Sequence, residues 1–170
     1  MKKILPFACI PLLAIFLAFG NPQKTSATYN QWLDKKNVGH TIKISAKGSK
    51  DSFSVHYFGD VQSLKKETFK VVGISFSTEK KQSANAKLMF FNSKNELVGG
   101  YYIGSASDLP TGISHNRLVF DYKLSKNPCQ SITKVDFFKG IPPRLFVSCQ
   151  GREATIYEFY PEMKAERINP

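Results

Sequence analysis

Cysteine, tryptophan and histidine are scarce in this chain, which has three Cys, one Trp and three His among 170 residues. No Cys-x-x-Cys pair occurs, and His40, His56 and His115 are too widely spaced for a His-x-x-x-His or His-Glu-x-x-His motif. Because zinc sites need several ligands at short spacing, the sequence indicates no metal centre. Gly-x-Ser-x-Gly and Walker motifs are absent as well. We therefore expect neither a hydrolase nucleophile elbow, nor a nucleotide loop, nor a cofactor.

The missing motifs argue for a non-catalytic protein, but an enzyme stays open because active sites are grafted on many folds without a fold-level signal. His56 alternates with Val55 and Tyr57, so we expect it on the opposite, solvent-facing side of its strand. Asp121 and Asp136 lie on separate predicted strands, in a phase that points both to solvent. No pair of carboxylates is indicated as an acid–base couple.

Long apolar runs are also few, with one at the N-terminus and none after it. Lys2 and Lys3 precede the apolar stretch 4–20, and small residues follow as far as Ala27. This is the layout of a secretory signal peptide, with cleavage after Ala27 and, as the alternative, after Gly20. A retained membrane anchor is disfavoured because two prolines interrupt a run shorter than the roughly 20 residues that a spanning helix needs. The sequence thus predicts a signal peptide at 1–27 and export to a periplasmic or extracellular location.

Cleavage after Ala27 leaves 143 of the 170 residues and removes Lys2, Lys3 and Lys24 together with Cys9. A mature chain of that length suits one domain, predicted at 28–160 and followed by a flexible tail at 161–170. No Asn-x-Ser/Thr acceptor site is present. Together with the short Lys-Lys start, this absence favours a bacterial origin.

Two cysteines remain in the mature chain, Cys129 and Cys149. In an oxidising compartment two cysteines most simply pair. A turn cluster, Lys139–Pro143, separates two β-like runs between them, so folding at this turn brings the cysteines together at the open end of a hairpin. A disulfide there closes a loop of about 20 residues, worth about 3 kcal/mol in the chain-entropy account. A metal site or a catalytic cysteine is the weaker alternative.

Acidic residues and arginine are under-represented. Lys and Arg total 24 against 13 Asp and Glu, so the net charge is +11, or +8 once the three signal-peptide lysines are removed. A positive field favours anionic partners such as lipopolysaccharide, anionic lipid, acidic glycan or nucleic acid. The alternative is that lysines solvate turns and guard sheet edges. Bidentate recognition of phosphate or carboxylate favours arginine, so the scarcity of arginine favours solvating lysines over an anion-binding face. Nucleic acid is the less favoured of the anionic partners.

Short runs of alternating apolar residues, separated by turn clusters, fill most of the mature chain. One such set is Leu118, Phe120, Tyr122 and Leu124. About nine runs occur at the spacing typical of an antiparallel sandwich or barrel. The predicted fold class is therefore all-β, an antiparallel β-sandwich of Ig-like or jelly-roll-like type. One or two helical turns are expected at Tyr29–Lys36.

The segment 70–124 contains a valine-glycine pair, an aromatic strand end, a polar turn and a leucine-proline-x-glycine loop. These pieces are Val72-Gly73, Phe90-Phe91, Asn92 with Asn95, Leu97-Val98 and Leu109-Pro110-Thr111-Gly112. In this order of pieces the segment resembles bacterial Ig-like modules of the FxLYD type. Phe91 replaces the usual tyrosine, and the turn lacks glycine. The resemblance implies a non-catalytic binding or structural role and no particular site residues.

Aromatic residues are abundant, with 14 Phe and 7 Tyr. They recur as adjacent pairs at Phe90-Phe91, Tyr101-Tyr102, Phe137-Phe138 and Phe159-Tyr160. In a strand, neighbouring side chains point to opposite faces, so each pair places one ring in the core and one outside. Exposed rings beside lysines suit glycan stacking or single-stranded nucleic acid. The alternative is that an N-terminal segment or a partner covers the outer rings.

The sequence thus favours an exported binding or accessory module with a basic, aromatic face for an anionic glycan, lipopolysaccharide or an envelope protein. The candidate contacts are Lys80, Lys81, Lys87, Tyr101 and Tyr102, where aromatics and charge concentrate. The alternative is a cell-envelope hydrolase or a protein inhibitor of one. If the protein is a hydrolase, His56 or His115 should lie next to an acidic side chain in a cleft. If it is an inhibitor, the loop 104–112 should protrude.

Overall fold

The computed structural model describes residues 31–45, 52–77, 85–123, 129, 131–161 and 163. It confirms the predicted all-β antiparallel fold, with ten strands where about nine were expected. The predicted signal peptide 1–27 and most of the predicted tail lie outside the described residues. In chain order the strands are β1 Thr41–Ser45, β2 Ser52–Gln62, β3 Thr68–Ser77, β4 Ala86–Phe91, β5 Leu97–Ile103, β6 Gly112–Ser114, β7 Arg117–Asp121, β8 Ile132–Asp136, β9 Arg144–Cys149 and β10 Arg152–Tyr160.

Two antiparallel sheets divide these strands. The larger has seven strands in the order β1-β2-β3-β4-β5-β10-β9, and the smaller has three in the order β6-β7-β8. The C-terminal strand β10 therefore pairs with β5 and β9, which are far from each other in sequence. The strand that the sequence did not predict is the short β6. Short 3₁₀ helices lie at Lys35–Asn37, which overlaps the end of the predicted helical segment, and at Ala106–Asp108.

The larger hydrophobic core, here core 1, lies between the two sheets. Phe90 is its centre, with ring centroids 5.7 Å from Tyr101 and 5.6 Å from Phe137. Leu118, Phe120 and Tyr122 of the predicted alternating set are buried here, as their spacing predicted, and Leu124 lies outside the described residues. The other buried members are Phe58, Val61, Val71, Ala86, Leu88, Ile103, Leu145 and Val147.

A second core, here core 2, covers part of the opposite face of the large sheet. Trp32 and Leu33, which precede the first strand, are 7% and 2% exposed and pack there. Met163, within the predicted tail, is buried in the same cluster. The strands contribute Val55, Tyr57, Val72, Ile74, Met89 and Phe91. The large sheet is thus covered on both faces over this region, so its strands carry apolar residues on both sides.

A glycine pair in β5 lets the C-terminal segment cross close to the sheet. A Cβ on Gly99 would lie 2.5 Å from the Phe159 ring, and one on Gly100 would lie 2.8 Å from the Met163 sulfur. Contacts this short do not occur, so both positions require glycine. The register of β4 against β5 shifts at the same point.

The β8 and β9 strands lie in different sheets, which corrects the expected backbone-paired hairpin. β8 pairs with β7, and β9 pairs with β10. Side chains join the two strands instead: the Ser148 amide donates to the Thr133 hydroxyl at 3.0 Å, and the Ser131 hydroxyl donates to the Ser148 carbonyl. The Cys129–Cys149 disulfide is present, as predicted, and its Cα atoms are 4.5 Å apart. It therefore fastens one sheet to the other. We call the line between β8 and β9 the seam.

Candidate functional site

Lys87 and Tyr102 lie side by side on the face of the large sheet that points away from core 1. They are directly opposite each other on β4 and β5. The Lys87 ammonium lies 5.3 Å from the centroid of the Tyr102 ring and 5.7 Å from that of Phe76. Tyr102 also contacts Tyr160 of β10, with centroids 5.2 Å apart and planes at 73°. We call Phe76, Lys87, Tyr102 and Tyr160 the outer platform.

Alternation along three strands and their registers place these side chains together. Ile74 faces Lys87 across β3 and β4, and Phe76 is two residues further along the same face of β3. Tyr102 follows Tyr101, whose ring points to core 1, so the Tyr102 ring must point outward. Tyr160 joins them because the end of β10 pairs with β5.

The outer platform is open to solvent. Tyr102 is 52% exposed and Tyr160 is 45% exposed. Beside them lies a groove of about 420 Å³, lined by Phe76, Asn85, Lys87, Tyr102 and Gly104 among others. Both ring faces attract the Lys87 cation through their quadrupoles, which orients the ammonium between them. The arrangement offers a charged donor group next to exposed ring surface, which suits a ligand with an apolar ring face and an anionic substituent.

The predicted contact residues divide into three groups. Lys87 and Tyr102 are brought together on the outer platform. Tyr101 is 0% exposed and belongs to core 1, so its assignment as a surface contact was wrong. Its hydroxyl donates to the Pro142 carbonyl, and burial raises its pKa above the ordinary value of 10.0. Lys80 and Lys81 lie outside the described residues.

Sequence reasoning missed Phe76 and Tyr160 as members of the site. Phe76 was recognisable as sharing a face with Ile74, and Tyr160 as half of an aromatic pair. Neither pattern reveals the neighbour across the sheet, because the β5–β10 pairing joins residues far apart in sequence.

The aromatic pairs differ in whether the outer ring is covered. Phe90 and Phe91 are both buried, one in core 1 and one in core 2, because Trp32 and Leu33 cover the second face there. In the other pairs the outer ring stays exposed: Tyr102, Phe138 and Tyr160. Both predicted alternatives, covered and exposed outer rings, therefore occur in one molecule.

His56 and His115 lie in different environments. His56 is half-buried, contrary to the expected surface position: its ring lies 4.4 Å from that of Phe58, and Nδ1 lies 2.8 Å from the Thr41 hydroxyl. Burial and then the nearby His40 lower the pKa of His56 below its ordinary 6.5. His115 lies in the exposed β6–β7 turn, with Nδ1 at 2.9 Å from the Ser114 hydroxyl.

Among the described residues, no carboxylate forms a hydrogen bond or an ion pair with these histidines. Asp136 is exposed on β8, and Asp121 is half-buried and accepts a hydrogen bond from the Lys123 amide at 3.1 Å. Asp60 accepts from the Tyr57 hydroxyl at 2.5 Å. Over the described residues, no group of three or more His, Cys, Asp or Glu side chains is placed to hold a metal ion.

The loop 104–112 packs against the fold. A capping box joins Ser105 and Asp108 around its 3₁₀ helix, with the Ser105 amide 2.9 Å from the Asp108 carboxylate. Leu109 packs on core 1, and Pro110 is buried. The Tyr122 hydroxyl donates to the Asp108 carbonyl at 3.0 Å. The loop therefore lies along the molecule instead of extending from it.

Comparison with models of known families, with curated proteins and with solved structures finds no match for this chain. The segment that resembles FxLYD-type modules forms β3 to β7. None of the helices in the described part of the chain has the length and hydropathy that a membrane span requires.

Proposed function

We propose that this protein is an exported, non-catalytic binding module whose outer platform binds an anionic glycan. The observation that carries the proposal is the position of Lys87, whose ammonium lies between the rings of Phe76 and Tyr102 on an exposed sheet face. A sugar ring stacks its apolar face on an exposed aromatic ring, and an acidic substituent accepts hydrogen bonds from an ammonium.

Three further features support this function. The net charge of +8 that remains after cleavage at Ala27 attracts polyanions over a distance, which raises the rate of encounter. The N-terminal charge and apolar pattern and the Cys129–Cys149 disulfide are compatible with export, where envelope and extracellular glycans are met. The platform rests on regular strands of a sheet packed over core 1, so its side chains need little reordering on binding.

Retention on immobilised heparin and on immobilised lipopolysaccharide tests the proposal. The mature chain from residue 28 should elute at higher salt than a charge-matched control protein. Lys87→Gln and Tyr102→Leu should each lower the elution salt, whereas Tyr102→Phe should keep it because the ring remains.

Lys43→Gln is the matched control, because Lys43 is an exposed strand lysine on β1, away from the platform. It removes the same formal charge as Lys87→Gln. Equal loss of retention in the two variants would mean that net charge alone binds the matrix, and it would overturn the proposed site.

A further inference from the structure

The seam between β8 and β9 is closed at one end and open at the other. At the closed end lie the disulfide, the Ser148–Thr133 bond and a backbone bond from the Gln150 amide to the Cys129 carbonyl at 3.1 Å. Towards the Lys139–Pro143 turn the strands border a groove of about 650 Å³. That volume lies within the roughly 300–1,000 Å³ of ligand sites in proteins.

Backbone groups of β9 point into the seam at alternate residues. The Phe159 amide donates to the Pro143 carbonyl, so Phe159 and Pro143 form a hydrogen-bonded pair. Hydrogen-bonded and non-hydrogen-bonded pairs alternate in an antiparallel ladder. Phe146, which faces Ile156, is therefore in a non-hydrogen-bonded pair, and its amide and carbonyl point away from β10. Ser148, two residues on, shows this orientation directly by bonding across the seam.

The facing edge of β8 has the same property. The Tyr122 amide donates to the Ser131 carbonyl at 2.9 Å, which fixes the alternation between β7 and β8. Lys134 and Asp136 therefore direct their backbone groups away from β7, and both residues line the groove. Among the described strands, none pairs with either edge here.

The side chains around the open end combine apolar and cationic groups. Phe146 is 57% exposed and Phe138 is 42% exposed. Lys134 and Lys139 line the groove with Asp136, and Arg144 lines it while paired to Glu158 at 3.3 Å. With three cations and two carboxylates, the open end has a small positive excess beside exposed rings.

From these observations we infer that the open end of the seam binds an extended peptide of a partner protein by strand addition to β9. In this peptide, apolar residues alternate with acidic ones. The main chain of such a peptide meets the seam-facing groups of Phe146, its apolar side chains meet the exposed rings, and its acids meet the lysines. Pro142 and Pro143 end the available edge on one side and the Thr133–Ser148 contact ends it on the other, so the bound segment is short. This site is separate from the outer platform.

Amide chemical shifts of the labelled mature chain report this binding. The probe is a short, end-capped synthetic peptide that alternates valine and glutamate. Titration should shift the amides of Lys134, Asp136, Arg144 and Phe146 and leave Lys87 and Tyr102 in place. The absence of shifts at the seam, or shifts on the outer platform instead, would overturn the inference.

A proline at position 146 separates backbone pairing from side-chain contact. Phe146→Pro removes a seam-facing donor without breaking a bond to β10, and Phe146→Ala removes the ring but keeps the donor. We expect Phe146→Pro to bind the peptide about tenfold more weakly than Phe146→Ala, as the loss of one hydrogen bond predicts.

Methylating alternate amides of the peptide tests the same step on the unaltered protein, in case Phe146→Pro fails to fold. Loss of binding by the methylated peptide supports strand addition. Unchanged binding by the methylated peptide would show that charge alone holds it. Displacement of the peptide by vesicles of phosphatidylglycerol, combined with an unchanged affinity of Phe146→Pro for the peptide, would show the same and overturn the inference.

Discussion

Residues on β3 and β5, the two strands that pair with β4, set the position of the Lys87 side chain. Tyr102 lies opposite it in the β4–β5 register, and Phe76 lies one diagonal step away on β3. Cation–π attraction at an exposed site contributes about 0.5–1 kcal/mol, enough to order a long side chain but not to stabilise a fold. The value of the arrangement for binding is therefore pre-organisation: the ammonium and the ring already stand in the geometry that a ligand would need.

His56 gives the molecule a pH-dependent stability. The groups that face it are the Thr41 hydroxyl, the Phe58 ring and His40. Its pKa is lowered in the folded state below the 6.5 of an unfolded chain. Between these two pKa values the unfolded chain binds more protons, so the free energy of unfolding falls as the pH drops through 6.5 towards the folded pKa.

Replacing His56 by glutamine removes this titration. Urea unfolding followed by the fluorescence of Trp32, the single tryptophan, should show a smaller loss of stability between about pH 7 and about pH 5 in His56→Gln than in the wild type. An equal slope in both proteins, or a His56 pKa at or above 6.5 by NMR, would contradict the buried setting of the ring.

Gly100 marks the place where the C-terminal segment crosses β5. A methyl group there would overlap Met163 and the Leu88 carbonyl, whereas a methyl group on Gly112 would meet nothing within 4 Å. We expect Gly100→Ala to lower the free energy of unfolding by about 1–3 kcal/mol and Gly112→Ala to change it little. Chemical denaturation of both variants measures the difference, and equal effects would argue against the close crossing.

At the level of elements, the disulfide acts between sheets. It encloses a sequence separation of 20 residues that contains β8, the turn and β9, and these strands pair with different neighbours. Across the closed end of the seam, hydrogen bonds join Ser148 to Ser131 and Thr133, and the disulfide adds the covalent link among the described residues. Its loss frees the two sheets to separate there, as well as enlarging the unfolded ensemble.

Removal of both cysteines, as Cys129→Ser with Cys149→Ser, should lower the free energy of unfolding by about 3 kcal/mol. Dithiothreitol should destabilise the wild type by a similar amount and leave the double variant unaffected. A wild type whose thermal midpoint does not respond to reduction would show that the bond does not form in the folded protein.

The N-terminal segment is an element that sequence patterning described only in part. Trp32 and Leu33 belong to the segment where helical turns were expected, and they pack against Val55, Tyr57 and Phe91 among others. Their role as the cover of the second sheet face depends on which strands lie beneath them. That information is non-local, so the covered and uncovered halves of the sheet could not be told apart from the chain alone.

For the whole molecule, local alternation was sufficient for the fold class and insufficient for strand order. The set Leu118, Phe120 and Tyr122 was correctly read as one face, and Cys129 was correctly paired with Cys149. The β8–β9 hairpin was wrong because a turn brings two strands near each other without making them hydrogen-bond partners. Placing β10 between β5 and β9 requires contacts between distant residues, which period-2 patterns do not encode.

The same limit applies to the candidate site. Lys87 and Tyr102 were predicted from the local concentration of charge and aromatics, and they meet on adjacent strands. Tyr101 was grouped with them wrongly, although its inward phase follows from alternation with Tyr102. Phe76 and Tyr160 required the sheet order, so only the assembled fold reveals the outer platform as one surface.

The most direct test of the binding role is a chemical-shift map of the mature chain titrated with a heparin oligosaccharide, with dextran as the neutral control. The proposal predicts saturable shifts concentrated at Phe76, Lys87, Tyr102 and Tyr160, absent with dextran and lost in Tyr102→Leu. Shifts spread over Lys43 of β1 and the lysines of the turns, unchanged in that variant, would contradict it and leave only a general electrostatic attraction.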